Sequence, residues 1–524
     1  MILIKNVMLS LDTDFLDIKG IVANYLKISA DSVYNAKLYR KSVDARKKDK
    51  VCFCCSFTAS LSPKNEARYI KNNKNCDVYT ENRYNWSRKT DSNTRPVVVG
   101  FGPAGMFAAL LFARSGLRPI VIERGDSVDI RKEKIDNFFN GGKLDINSNV
   151  QFGEGGAGTF SDGKLNTGIN DNRCRTVIET FHQFGANEDI TFDAKPHIGT
   201  DILIKVVKNI REEIIALGGE IRFNTKADEI IFEDAKIYGV KLWTGEIIET
   251  KRVVLAIGHS ARDTFEMLKG KGVSMERKPF AMGVRIEHLQ RDINKSLYGD
   301  YANHPALSAA PYKLAVHLEN GRGVYTFCMC PGGEVINASS EENGIAVNGM
   351  SYSARDGENA NSALLVGVLP EDLPDTDVLS GIYMQREIEQ RAYNIGDGKV
   401  PVTTVGNFLY GEKAEFTKIK PTVKPETVFR NLDEIYPSFI TDALKEGIEL
   451  LDKKLSGFCD KSAVITAPET RSSSPVRILR DENYNSVSVL GLYPCGEGAG
   501  YAGGIVSAAV DGLRCAEKVI ESLN

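Results

Sequence analysis

Arg95-Pro-Val-Val-Val-Gly-Phe-Gly-Pro-Ala-Gly-Met106 decides the fold of this chain. A short apolar strand runs straight into Gly100-x-Gly102-x-x-Gly105 and then into the helix-like Met106-Phe-Ala-Ala-Leu-Leu-Phe-Ala-Arg114. Eighteen residues past Gly105, a second apolar run, Pro119-Ile-Val-Ile122, ends at Glu123. Each part has a mechanical role. Gly100 permits the tight turn, Gly102 lets the backbone approach a pyrophosphate, and Gly105 lets helix and strand pack closely. The helix start offers unpaired N–H groups and a positive dipole end to phosphates. Glu123 is placed to accept from a ribose hydroxyl. Pro103 and Ala104 in the turn, and Arg124 beside the acid, belong to the same expected dinucleotide site.

The remaining pattern sets the organisation. At 524 residues the chain exceeds one ordinary core, so two or three domains are expected. Residues 1–90 read as a small α/β domain and linker: a strand from Ile2, an amphipathic helix Ile18 to Leu26, and strand-like runs Ser32 to Ser42 and Val51 to Leu61. The polar stretch from Asn72 to Thr94 marks the linker. Residues 95–262 read as the first part of a nucleotide-binding domain, with a helix from Asp201 to Leu217 and a β-meander from Glu220 to Glu249. From 263 to 480 the α/β rhythm is lost, and an inserted α+β substrate domain is expected, with two helices near 425 to 452. Residues 481–524 return to the nucleotide domain with a strand from Ser486 to Cys495 and a closing helix from Ile505.

Composition excludes several classes. A net charge of −3 provides no overall attraction to nucleic acid or membrane. The basic run Arg40-Lys41 to Lys50 has no interleaved aromatics and reads as a solvated hairpin tip. No apolar run approaches the roughly 18 residues that span a bilayer. The ten cysteines lack metal-site spacing, so no metal is expected, and a reducing cytoplasm suits them.

In this order the pieces resemble the FAD domain of the glutathione-reductase-like superfamily, in the branch that inserts a substrate domain and lacks a separate NAD(P) domain. Three segments carry the resemblance: the fingerprint with Glu123; Val253-Val-Leu-Ala-Ile-Gly258, similar to a strand ending in Ala-Thr-Gly; and Leu490-Gly-Leu-Tyr-Pro-Cys-Gly496-Glu497 with Gly500-Tyr-Ala-Gly503-Gly504-Ile505, similar to the second FAD motif. The resemblance implies that Glu497 accepts from a ribitol hydroxyl and that the helix starting at Ile505 points at the flavin pyrimidine edge. It implies FAD, because an NAD enzyme has no need of the C-terminal motif. The whole chain, N-terminal domain included, also resembles uncharacterised bacterial FAD-dependent dehydrogenase-like proteins.

Several residues are candidates for chemistry. Gln151-Phe-Gly-Glu-Gly155-Gly156-Ala-Gly158-Thr159-Phe-Ser-Asp-Gly163-Lys164 is glycine-dense and can lie against a phosphate or a planar ring. Lys164 is a candidate for the flavin N5 neighbourhood. Cys328 and Cys330, two apart on a strand, share a face and could exchange electrons with flavin. The fingerprint helix lacks the C-x4-C pair of flavin disulfide reductases, however, which points to a packing role for these two. Arg471, between Pro468 and Pro475, is a candidate clamp for a substrate carboxylate. His288 and Arg285 sit on an alternating strand. The expected function is an FAD-dependent oxidoreductase moving a hydride between flavin and a small molecule, with NAD(P)H docking transiently. The alternatives are an RNA-modifying flavoenzyme or monooxygenase, or a non-catalytic flavin-binding sensor.

Overall fold

The computed structural model describes residues 1–81, 84–86, 90 and 92–523. Part of the linker expected between Asn72 and Thr94 lies outside the described residues. The chain has the expected α/β architecture, built around a five-stranded parallel sheet in the order Leu492–Pro494, Val253–Leu255, Val97–Val99, Ile120–Ile122, Glu220–Arg222. Val97, Val98, Val253 and Val254 are fully buried, as a parallel sheet covered on both faces demands.

The helix Pro103–Arg114 is buried almost all round, which explains why its sequence is apolar on every face. A Cβ on Gly105 would lie 2.0 Å from the Gly100 carbonyl oxygen, so the third fingerprint glycine fixes the helix against its strand. The C-terminal helix Ile505–Glu521 lies alongside. Gly512 permits this contact, since a Cβ there would lie 2.1 Å from the Ala104 carbonyl oxygen. Both ends of the domain are thereby locked together.

The meander is an antiparallel sheet of Ala227–Glu233, Lys236–Leu242 and Ile247–Glu249. A two-stranded neck, Met275–Arg277 with Val476–Ile478, leads to and from a seven-stranded sheet. That sheet runs Ala315–His317, Gly323–Cys330, Asn359–Val368, Phe280–Leu289, Val464–Glu469, Val400–Thr404, Thr427–Phe429. It is covered by helices that include Ser380–Gly396 and Ser438–Asp452.

The N-terminal unit is a split βαββαβ sheet in the order Asn35–Asp44, Cys52–Ser60, Ile2–Leu9, Cys76–Val78. Its edge strand is not free: Lys41 N–H donates to the Phe192 carbonyl (2.7 Å) and Ala194 N–H donates to the Lys41 carbonyl (2.8 Å). The Lys41 ammonium lies 5.4–5.6 Å from the ring centroids of Phe15, Phe53 and Phe192. Lys41 is therefore seated on aromatic rings rather than solvated, while Arg46 to Lys50 are exposed as expected.

Local differences from the sequence reading have local causes. Only one α-helix, Ser438–Asp452, falls in 425–452; Thr427–Phe429 is a strand, and Pro437 sets the helix start. The run from Ser486 narrows to the strand Leu492–Pro494, because Gly491 turns the chain with φ +87°. Val347–Met350 pairs with Glu334–Asn337 in a two-stranded sheet. Among the described residues, no helix is long and apolar enough to cross a membrane.

Candidate functional site

A cavity of about 670 Å³ opens where the parallel strands end at their carboxyl edges and faces the inserted sheet. Carboxyl ends are where open α/β sheets bind ligands. Gly100, Gly102, Pro103, Ala104, Glu123, Arg124, Gly156, Gly158 and Gly258 line it. Glu497, Gly503, Gly504, Ile505, Lys164, Cys328 and Arg471 line it too. Gly105, Gly155, Thr159 and Gly496, expected at the same site, do not line it, and neither does Cys330, which is fully buried.

The fingerprint turn brings a helix start to the cavity. Gly102 is the N-cap of Pro103–Arg114 and no side chain caps it, so the first-turn N–H groups are open to a ligand. A Cβ on Gly102 would find only Gly156 Cα, at 3.7 Å, so two glycines face each other across a narrow throat. Glu123 is buried and its carboxylate is already shared. Oε2 accepts from Phe101 N–H (2.8 Å), and Oε1 accepts from Gly125 N–H and Gly153 N–H (both 3.0 Å). It ties the fingerprint turn to the glycine-dense loop. Arg124 lies over the Phe152 ring at 4.3 Å and pairs with Asp263 at 2.8 Å.

Arg131 holds that loop from behind. Its buried guanidinium donates to the carbonyls of Asn149, Val150, Gly153, Glu154 and Gly156. Five backbone acceptors around one cation impose the loop's shape more firmly than its glycines could. Gly155 N–H donates to the Phe101 carbonyl (2.8 Å), and Thr159 is buried beneath it.

A second helix start enters from the C-terminal motif. Gly504 is the N-cap of Ile505–Glu521 without a side-chain cap, and neither Gly503 nor Gly504 has anything within 4 Å of where a Cβ would stand. Gly496 N–H donates to Asp511 (2.8 Å), whose two oxygens also accept from Arg480 (2.9 and 2.7 Å). Cys495, Asp511 and Cys515 bring their ligand-type atoms within 4.8 Å of one another, but Arg480 already commits the acid to a cation. Glu497 faces His259 Nδ1 at 3.5 Å, and His259 Nε2 lies 3.0 Å from the Arg471 carbonyl.

The opposite wall comes from the inserted sheet. Arg285 is completely buried and bidentate to Glu469 (2.6 and 3.0 Å); it also donates to the carbonyl of Cys328 (2.9 Å), Asn361 (3.0 Å) and Asn348 (3.0 Å). Lys164 reaches across from the glycine loop to the Met329 carbonyl and lies 3.3 Å from Asp162. Burial would raise the Asp162 carboxyl, but Lys164 and Arg355 override it and hold it at about 2. Asp162 also accepts from Ser351, so it joins the loop to the inserted domain. Between Phe327 and Cys330 the strand bulges, and Cys328 takes a left-handed φ of +42°. The proximity of the two thiols draws that of Cys328 down, with Lys164 and Arg285 adding to the effect, while the same proximity and burial drive that of Cys330 up.

Arg471 is not a free clamp. Its guanidinium is bidentate to buried Glu389 (2.9 and 2.7 Å) and donates to Ser340, while Arg262 grips the same carboxylate (2.9 and 2.8 Å). His288 is buried against the Phe458 carbonyl, away from the cavity. The residues that sequence reasoning passed over, Arg131, Asp162, Arg355, His259 and Glu389, find most of their partners far along the chain. Such pairings leave no local spacing to read.

Residues 279–472 match the model of a family described as FAD-dependent protein, C-terminal domain-like, and residues 1–59 match a domain of unknown function. An uncharacterised protein of Clostridium beijerinckii is 47% identical over 529 residues, covering 99% of both chains. The chain belongs to the same family as this protein, and its residues 279–472 carry the domain of FAD-dependent proteins. Protein FixC of Salmonella typhi is 25% identical over 36% of this chain and 42% of its own. Glycine oxidase of Bacillus cereus aligns with 82% of this chain and 96% of its own at 12% identity and a TM-score of 0.31. The cofactor of the family is FAD, and the cavity fits it. It offers two uncapped helix starts, a glycine throat, and open space where Cβ atoms of Gly503 and Gly504 would stand.

Proposed function

We propose that this protein is an FAD-dependent oxidoreductase of the glutathione-reductase-like superfamily. It moves a hydride between bound flavin and a small molecule held between the parallel sheet and the inserted sheet. The observation that supports this most is one continuous cavity with uncapped helix starts on one side and the Lys164, Arg285, Glu469 and Cys328 cluster on the other. Gly102, Pro103 and Gly156 would hold the pyrophosphate, and Glu123 a ribose hydroxyl through its remaining lone pairs. Glu497 would hold the ribitol, and Gly503 to Ile505 the pyrimidine edge. FAD supplies the hydride chemistry when bound. The chain supplies position: Arg131 fixes the loop, Lys164 and Asp162 fasten that loop to the inserted domain, and the His259–Glu497 contact closes the wall. NAD(P)H docks transiently as electron donor, no nucleic acid takes part, and the ten thiols suit a reducing cytoplasm.

The test is anaerobic mixing of holoprotein with NADH, NADPH and a panel of hydroxy and amino acids, followed by flavin absorbance. Bleaching within seconds by one class of compound is expected. A flavin that dithionite reduces but no metabolite or nicotinamide does would overturn the enzyme reading in favour of a sensor.

A further inference from the structure

Cys328 and Cys330 stand apart from the other eight cysteines. In a regular strand two residues at this spacing point the same way but stay apart. Here the bulge after Phe327 and the left-handed backbone at Cys328 fold the pair together. The Cys330 thiol donates to the Cys328 carbonyl oxygen at 3.3 Å. A left-handed conformation at a residue with a Cβ costs of order 1–3 kcal/mol and persists where the surroundings impose it. They do: Arg285 donates to the Cys328 carbonyl, Lys164 to that of Met329, and Gly332 N–H to Gln290. Cys328 lines the cavity; Cys330 is fully buried, 3.9 Å from the Arg285 guanidinium. The charges of Lys164 and Arg285, both held at this bulge, favour the thiolate of Cys328, the form that reacts.

We propose that Cys328 and Cys330 form a redox-active dithiol/disulfide couple that exchanges an electron pair with the flavin in this cavity. The proposal rests on FAD occupying the cleft as described above. In the oxidising direction the Cys328 thiolate and the Cys330 thiol join through a new Sγ–Sγ bond. The Cys330 S–H bond breaks, and the electron pair with that proton passes to oxidised FAD, giving the anionic reduced flavin. In the reverse direction reduced flavin returns the pair and the proton, and the Sγ–Sγ bond opens. Charge and atoms balance with no further reactant.

Electron counting tests this without reference to turnover. Holoprotein is oxidised with diamide, freed of reagent, and titrated anaerobically with dithionite while flavin absorbance is followed. The wild type is expected to take up about four electrons per flavin before excess reagent appears, and Cys328→Ser, Cys330→Ser and Cys330→Ala about two. Peptide mapping of the diamide-treated protein should recover a Cys328–Cys330 disulfide, which reduction of the flavin removes. Each variant should retain bound FAD, so loss of the extra electrons cannot be confused with loss of the cofactor site. Uptake of about two electrons by the wild type, or a disulfide that persists beside fully reduced flavin, would overturn the proposal. If the variants lose FAD, iodoacetamide labelling of wild-type apoprotein decides. Cys328 alkylated roughly tenfold or more faster at neutral pH than the buried Cys495 and Cys515 supports the activated pair, and equal rates refute it.

Discussion

Substituting Glu123 probes how the nucleotide site is assembled. Its two oxygens accept three backbone N–H groups, from Phe101, Gly125 and Gly153, all within the fold's interior. Hydrogen bonds to a charged acceptor contribute about 1.5–3 kcal/mol each, and a stranded buried donor costs about 1–3 kcal/mol. Water entering from the cavity recovers part of this. Glu123→Ala is therefore expected to cost about 3–5 kcal/mol in the flavin domain. For a domain of this size that lowers the first unfolding transition by about 6–20 °C. Glu123→Gln keeps a carbonyl for the two donors at Oε1 but turns an amide N–H₂ toward Phe101 N–H, so its cost should be about 1–3 kcal/mol. FAD affinity should fall about ten- to a hundredfold in the alanine variant, because Phe101 and Gly153 shape the wall that receives the nucleotide. Thermal unfolding of apoprotein and FAD titration by flavin fluorescence read the two effects separately. An alanine variant no less stable than the glutamine variant would refute the reasoning.

Two further perturbations act on buried charges. Glu389→Ala leaves Arg262 and Arg471 buried without their shared carboxylate, and should cost about 3–5 kcal/mol in denaturant unfolding. Glu287 is completely buried, accepting from Thr422 and Asn359, and burial pushes its carboxyl up to about 7. A raised acid contributes stability that is full below its unfolded value of about 4.3 and is lost as pH rises through about 7. Stability measured from pH 5 to 8 should therefore decline more steeply in the wild type than in Glu287→Gln, and parallel curves would contradict this.

The nucleotide half of the fold was legible because its signals are local. The fingerprint glycines, the buried strand Val253–Leu255 and the helix from Ile505 each declare themselves within a dozen residues. The helix Ile18–Leu26 was legible for the same reason, an apolar stripe at helical spacing. The inserted sheet was not, since its neighbours in space lie far apart in sequence: Phe280–Leu289 pairs with both Asn359–Val368 and Val464–Glu469. Arg471 shows the limit most clearly. Its local sequence suited a substrate clamp, but only the fold reveals that Glu389, 82 residues away, already holds it. Cys328 shows the converse, because its access to the cavity comes from a bulge that spacing does not announce.

The central claim is that FAD lies along the glycine throat between Gly102 and Gly156. Gly102 has φ −76° and only Gly156 Cα near its missing Cβ, so Gly102→Val should fold while its methyl groups fill the throat. The decisive measurement is the identity and amount of flavin released on heat denaturation of wild type and Gly102→Val, each first saturated with FAD and freed of excess. The account predicts about one FAD per wild-type chain and a more than hundredfold weaker affinity in a folded Gly102→Val. Release of FMN, or an undiminished FAD content in the valine variant, would contradict it.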